Sequence, residues 1–380
     1  MAHKKKILVI TGSRAEYGLL RPVIAEIKLS RTLELRLLVT GMHTLKKYGD
    51  TLKEVRRETR VHVVVPIRNN NTMLEALATE IQGIERYCKK YKPDIILVLG
   101  DRDEALAGAL VGGHNKIAVA HIHGGDTLGF LVDEAIRHSI TKFAHIHFPA
   151  TKKSAGRIAH MGEEKRRIHM VGSTAFDARE LRDMKSRAEL ATKFKLNPHS
   201  SWLLVVQHPT PLDTTPIEKQ LSPTLRALRD NSSQKIFIYP NSDTGSDQFV
   251  FAIEKLRGLK DFTVLKNLPR TYYLSFLKEC GAVVGNSSSG IIEAGHFGKP
   301  VIDIGGRQRG RECGNNVIHV PYHAVKITRA LSTALSASFK RKIAGTHNPY
   351  GSGNAAKKIV NALEKLQIND QLFYKRFSSI

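Results

Sequence analysis

The chain has 380 residues, 41% of them hydrophobic and 25% charged, which suits two ordinary cores better than one. No apolar run reaches the roughly 18 residues of a membrane span, and the opening MAHKKKILVITGS turns polar too soon to be a signal peptide. Cys88, Cys280 and Cys313 form no CxxC pair and are expected to be reduced thiols of a cytoplasmic protein. The net charge of +24 is scattered, with clusters no longer than Lys4–Lys6 or Lys165–Arg167. It therefore points to a basic surface and a small anionic substrate, with no nucleic acid and no membrane as partner.

In chain order, KKILVIT is expected to be a buried strand, followed by a helix through Leu19–Lys28 with Pro22 in its first turn. LELRLLVT, VHVVVPI, DIILVLG, KIAVAHI and AHIHFPA repeat the strand pattern with helical stretches between them, and RIHMVG, ending at Gly172, closes the series. Residues 178–200 are charged and helical, ending in Asn197-Pro198-His199-Ser200-Ser201, and are taken as a linker. A second series follows: SWLLVVQH, KIFIYP, FTVLK, GAVVGN and PVIDIG. A helix from Asn354 to Leu366 comes last, with Ala355, Ile359, Ala362 and Leu363 as its apolar positions. The expected architecture is α/β. Residues 1–177 form a Rossmann-like domain, 178–200 a linker, 201–353 a second Rossmann-like domain, and 354–380 a C-terminal helix and tail. Two doubly wound parallel-sheet halves resemble the GT-B arrangement, with the ligand in the cleft between them.

Ligands of open parallel sheets bind beyond the carboxyl ends of the strands, and the unusual polar residues of this chain fall there repeatedly. Thr11-Gly12-Ser13-Arg14, Gly41-Met42-His43, Gly100-Asp101-Arg102 and His121-Ile122-His123-Gly124-Gly125-Asp126 end strands of the first series. Gln207-His208-Pro209, Asn241-Ser242-Asp243, Gly285-Asn286-Ser287-Ser288-Ser289-Gly290 and Gly305-Gly306-Arg307-Gln308 end strands of the second. Asp101 reads either as a helix N-cap or as a carboxylate able to move protons. Asp133 and Glu134 open a helix, where acids serve the dipole, and Arg137 at i+4 can hold Asp133 ionised. His121, His123, His138, His145 and His147 raise the question of a metal, but three or four convergent ligands are not apparent, so no metal is expected. His208 follows its strand as a site imidazole. Arg14 is assigned to a phosphate, although no GxGxxG fingerprint is present. In GNSSSGIIEAGHFGKP, a helix opening near Ile291 can hold a phosphate, with Glu293 reaching a ribose. The competing reading is a capping box with Glu293 at N3; Arg307, Arg309 and Arg311 favour the anion site.

The segments TGSRAEYGLLRPVI, VTGMHTLKKYGDT, DIILVLGDR, DEAIRHSITKFAHIHF, QHPT, PNSDTGS and GNSSSGIIEAGHFGKPVIDIGGRQRGRE, in this order, resemble the hydrolysing UDP-N-acetylglucosamine 2-epimerases. The resemblance spans nearly the whole chain, and the non-hydrolysing epimerases lack the TGSRAEYG and RQRGRE forms. It implies a GT-B fold without metal or cofactor, a homodimer, and a UDP-sugar substrate. In the implied reaction a base removes the C2 proton, UDP leaves by elimination, and water adds to give N-acetylmannosamine. UDP-N,N'-diacetylbacillosamine as substrate and non-hydrolysing epimerisation are the alternatives. Carried over by motif, Arg14, Arg102, Asn241, Ser287, Ser288, Glu293 and Arg307 would hold UDP. Asp101, Asp133 and Arg137 would be catalytic, with His208 near the diphosphate. The chain departs from the family at one place. The usual HIEGG carries a catalytic Glu where this sequence has His123, and Asp126 is the nearest carboxylate, so either of these two takes the proton-transfer role, or the substrate or reaction differs from that of the family.

Overall fold

The computed structural model describes residues 4–46, 51–69, 71–127, 132–177, 181–211, 213–240, 244–345 and 347–378. Twelve strands fall into two six-stranded, all-parallel sheets. The first holds β1 (Lys5–Thr11), β2 (Leu33–Val39), β3 (Val63–Val64), β4 (Ile95–Leu99), β5 (Ala118–Ile122) and β6 (Ile146–Phe148). The second holds β7 (Trp202–Val206), β8 (Gln234–Ile238), β9 (Phe262–Leu265), β10 (Ala282–Gly285), β11 (Val301–Ile304) and β12 (Val317–Val320). The strand orders are β3-β2-β1-β4-β5-β6 and β12-β11-β10-β7-β8-β9. Each sheet therefore reverses its winding once, between β1 and β4 and between β7 and β10. Such a reversal parts the loops above it and leaves a crevice for a ligand.

Burial on both faces explains the near-continuous apolar strands. Along β1, Ile7 and Val9 join one core cluster while Leu8 and Ile10 join the other. Along β7, Leu203 and Val205 face one core, and Trp202, Leu204 and Val206 the other. The described residues up to 177 and from 353 onward make one compact unit; those between 178 and 352 make the second.

The structure changes several expectations. The first helix, α1 (Arg14–Leu29), starts five residues earlier than expected, because Ser13 and Glu16 form a capping box, and Pro22 therefore lies inside it. A proline there costs about 3 kcal/mol, which the burial of Leu20, Val23, Ile24 and Ile27 offsets. RIHMVG supplies only an isolated bridge between Ile168 and His147, whereas Val317–Val320 is a strand that the pattern did not reveal. The segment taken as a linker is helical, as expected, at Arg187–Phe194, with its own Ser186–Glu189 capping box. Its Leu190 and Ala191 pack in the core with Trp202, whose ring N–H donates to the Asn197 carbonyl at 3.0 Å. Among the described residues no helix is long and apolar enough to cross a membrane.

The helix Ala355–Lys365, followed only by the single turn Asp370–Phe373 among the described residues, buries Ala355, Ala356, Ile359, Val360 and Leu363 in the core of the first sheet. Both its ends are held by residues from far earlier in the chain. Asp177 accepts from the N–H groups of Ala355 (2.9 Å) and Ala356 (2.7 Å). The Lys5 ammonium donates to the carbonyls of Leu363, Glu364 and Leu366. A carboxylate at the N-terminus and a cation at the C-terminus suit the helix dipole. Farther on, buried Arg167 donates to the carbonyls of Gln371, Leu372 and Tyr374. Lys375 donates to the carbonyls of Lys142 and Ala144, at the end of the helix Val132–Phe143. Asp177→Ala is expected to cost about 1 kcal/mol as a lost cap. The urea midpoint should drop with an unchanged m value, and amide exchange in residues 355–365 should accelerate.

Candidate functional site

At the reversal of the first sheet, the loops after β1, β2 and β4 meet. A Cβ added to Gly12 would lie 2.2 Å from the Glu104 carboxyl carbon, and one added to Gly41 would lie 2.8 Å from the Gly12 carbonyl oxygen. Only glycine permits the approach at Gly41, which is to backbone at a φ of 57°, while a side chain at Gly12 would displace the Glu104 carboxyl. Gly12 N–H donates to Glu16 Oε2 at 2.9 Å, and Thr11 Oγ1 donates to the same oxygen at 3.3 Å. His43, between Thr11 and Thr51, is pushed down to about 4 by burial and is neutral. Burial raises the Glu16 carboxyl well above the usual range, with the Glu104 charge adding to it. Burial raises Glu104 as well, against the pull of Arg102, whose Nε lies 3.4 Å away. Glu80, 2% exposed, accepts from Thr40 Oγ1 at 3.1 Å. Burial and the Glu104 charge push it up to about 8. Burial thus raises three neighbouring carboxyls of this loop cluster, beside Arg102.

Beside it, Asp101 ends the β4 loop and pairs with Arg137 Nη2. Arg137, whose side chain is 5% exposed, also donates from Nη1 to the His123 carbonyl at 2.8 Å. Asp101 is not a helix cap: Arg102 occupies the N-cap position of the helix Asp103–His114, without a side-chain cap bond. His123 has φ 61°, unusual for a residue with a side chain, and its N–H donates to the Phe148 carbonyl at 3.0 Å. Strain of this kind is a feature of functional sites. His121, neutral because burial pushes it down to about 3, bonds through Nε2 to the Gly100 carbonyl at 2.7 Å and so fixes the turn that presents Asp101.

The remaining candidates of this unit are placed as follows. Asp133 lies in the first turn of its helix, and its charge acts on Arg102 and Asp103. Glu134 accepts from Thr127 at 2.8 Å and lies 3.2 Å from His138. Asp126 is half-buried in the loop after β5. Arg14, expected at a phosphate, is the first residue of α1 and pairs with Glu54 at 3.0 Å. His145 accepts from the Val119 N–H, and His147 lies 3.1 Å from Glu163. Among the described residues no three His, Cys, Asp or Glu side chains are grouped to hold a metal ion.

The second unit repeats the pattern at its own reversal. The Asn286 side chain, after β10, accepts from the His208 N–H at 2.7 Å and donates to the His208 carbonyl at 2.9 Å, locking the β7 and β10 loops together. Its backbone carbonyl accepts from Arg307 Nη1 (3.3 Å) and Gln308 Nε2 (2.8 Å), and Arg311 holds Gln308 at 2.8 Å. Arg309 is exposed. Ser287 is an N-cap without a side-chain cap bond, and the helix Ser288–Ile292 is one turn long and begins before the expected Ile291. Its dipole is correspondingly small. Glu293 follows the helix and is not at N3, so the capping-box reading fails. Both Glu293 oxygens accept from Arg270 Nη1, at 3.1 and 2.9 Å, and burial raises its carboxyl. Asn241 lies outside the described residues.

The sequence marks Asn286 only as part of its strand-end loop, and it does not mark Glu16, Glu80, Glu104 or Arg270 as site residues. The Ser13-x-x-Glu16 spacing was a legible capping signal. Glu80, mid-helix in ATEIQ, and Arg270, 23 residues before its partner, carry no local signal.

The family profile described as UDP-N-acetylglucosamine 2-epimerase matches residues 25–364. A UDP-N-acetylglucosamine 2-epimerase of Neisseria meningitidis is 37% identical over 334 residues, 87% of this chain and 88% of that protein. The UDP-N,N'-diacetylbacillosamine 2-epimerase (hydrolyzing) of Legionella pneumophila is 33% identical and covers 98% of each chain. The crystal structure of a UDP-GlcNAc 2-epimerase from Neisseria meningitidis, bound to UDP-GlcNAc, superposes with a TM-score of 0.82 at 20% identity, over 95% of this chain and 100% of that one. The fold is therefore GT-B-like, as expected.

Because Glu80 titrates near 8 in the folded chain and in the usual carboxylate range when unfolded, the folded state holds an extra proton between those values. Its contribution to stability is full at acid pH and is lost as pH rises through about 8. Glu80→Gln should remove a slope of up to about 1.4 kcal/mol per pH unit over that window, read from urea midpoints at several pH values.

Proposed function

The chain belongs to the UDP-N-acetylglucosamine 2-epimerase family, and we propose that it is a hydrolysing member, converting UDP-N-acetylglucosamine and water to N-acetylmannosamine and UDP. The observation that carries this reading is the Arg137 clamp. One guanidinium holds the Asp101 carboxylate with one nitrogen and the His123 carbonyl with the other. It fixes a base and the divergent loop position in one frame at the reversal of the sheet. The C2 proton is weakly acidic, so its removal needs a placed base and a stabilised leaving group. Asp101, paired with Arg137, serves as a proton-moving group, with Asp133 and Arg102 adding charge beside it. His123 or Asp126 supplies the second proton transfer. In the second unit, Arg307 and the Ser287-Ser288 turn bind the diphosphate, Glu293 the ribose and Asn241 the nucleotide. His208, fixed by Asn286, polarises the departing UDP, and Arg14 completes the anion contacts. Elimination gives an unsaturated 2-acetamido sugar, and water adds across its double bond with inversion at C2.

A second substrate is supported by the Legionella relative, which aligns over 98% of this chain and whose name specifies UDP-N,N'-diacetylbacillosamine. Both UDP-sugars are therefore to be incubated with the protein in D2O and followed by NMR. The expected outcome is free UDP and N-acetylmannosamine deuterated at C2. Release of UDP-N-acetylmannosamine without free UDP would identify a non-hydrolysing enzyme and overturn the reading.

Asp101→Asn should lower kcat by about 10²- to 10⁴-fold, the usual scale of acid–base catalysis, while Arg307→Met should act mainly on KM. His123→Ala and Asp126→Ala, assayed separately, assign the second proton transfer. At least one of them should slow turnover by about tenfold or more, and two unaffected variants would remove the loop from the mechanism.

A further inference from the structure

The second unit also contains a nucleophile that the epimerase reaction does not use. Asp303 on β11 and His319 on β12 are register partners in neighbouring parallel strands. Asp303 is 2% exposed, and its Oδ2 accepts from His319 Nδ1 at 2.8 Å. That bond turns the other ring nitrogen, Nε2, toward Cys313, whose sulfur lies 3.6 Å away. The imidazole is raised to about 10 by its bonds to Asp303 and Cys313, so it is a cation at neutral pH. At this distance the imidazolium is placed to stabilise negative charge on the sulfur as it attacks an electrophile. Cys313 and His319 both reach solvent, whereas Cys88 and Cys280 are buried. Thiol, imidazole and buried carboxylate stand in the linear order that activates a nucleophile.

We propose that Cys313 is a modification site, a thiol that His319, oriented by Asp303, prepares for oxidation by a hydroperoxide. The sulfur attacks the distal peroxide oxygen. A sulfur–oxygen bond forms, the oxygen–oxygen bond breaks, sulfur loses two electrons and the peroxide is reduced. The Nε2 proton passes to the departing alkoxide, or to hydroxide when the oxidant is hydrogen peroxide, leaving a sulfenic acid and an alcohol or water. The site lies two residues beyond Arg311, which holds Gln308 against the Asn286 carbonyl that Arg307 also contacts. Oxidation replaces the sulfur–imidazolium contact and loosens this segment, weakening UDP binding. That consequence rests on the proposed role of Arg307; the chemistry at the sulfur does not.

The test uses the full chain at neutral pH, without substrate. Thiolate ultraviolet absorbance should be higher in the wild type than in Cys313→Ser, and His319→Gln should lose the excess. After exposure to hydrogen peroxide, a sulfenic-acid-selective dione should label Cys313, and not Cys88 or Cys280, about tenfold faster in the wild type than in His319→Gln or Asp303→Asn. Equal labelling rates in wild type and His319→Gln, or no thiolate excess over Cys313→Ser, would overturn the site. Peroxide should then weaken UDP binding, measured by calorimetry, in the wild type and not in Cys313→Ser. Labelling with unchanged UDP affinity would overturn the coupling, and a chain that binds no UDP before oxidation would instead count against the proposed function.

Discussion

One constraint organises both halves of the molecule: a parallel sheet that winds outward in both directions must part its loops where the winding reverses. At each reversal a close contact brings the parted loops together. In the first unit Gly12 lets the β1 loop close onto the Glu104 carboxyl. In the second, the Asn286 side chain bonds both backbone groups of His208. The chemistry-bearing residues sit around these ties because only there are backbone and side-chain polar groups directed away from the sheet and not consumed by its ladder.

The two reversals differ electrically. Around Gly12 the chain buries Glu16, Glu80 and Glu104, with burial raising all three. Around Asn286 it gathers Arg307 and Arg311, with Arg270 answering Glu293. The same topology thus carries a cluster of buried carboxyls in one unit and a cluster of arginines in the other. The net charge of +24, which gave no motif by itself, acquires a local meaning at the second reversal.

What the sequence made legible follows from the range of the interactions involved. Strands buried on both faces announce themselves as short apolar runs, and the glycine-rich loops at their ends mark where the sites sit. Pairings between residues close in sequence can also be read, as Ser13 with Glu16 shows. Long-range pairings cannot. Nothing near Arg137 identifies Asp101 as its partner in preference to Asp133, and nothing near Glu293 points to Arg270. A strand such as Val317–Val320, half-buried at the sheet edge and interrupted by His319, lacks the apolar run that makes inner strands recognisable.

The return of the chain to its first unit has a consequence for how the molecule is made. The described residues between 178 and 352 belong to the second unit, but the first unit needs the helix Ala355–Lys365 to cover its core. During synthesis, Ile359 and Leu363 reach the ribosome exit only after the whole second unit has been translated. The part begun first is therefore completed last. Until then the apolar faces of α1 that this helix covers stay open to water, and this interval is when the nascent chain depends most on chaperones to avoid aggregation.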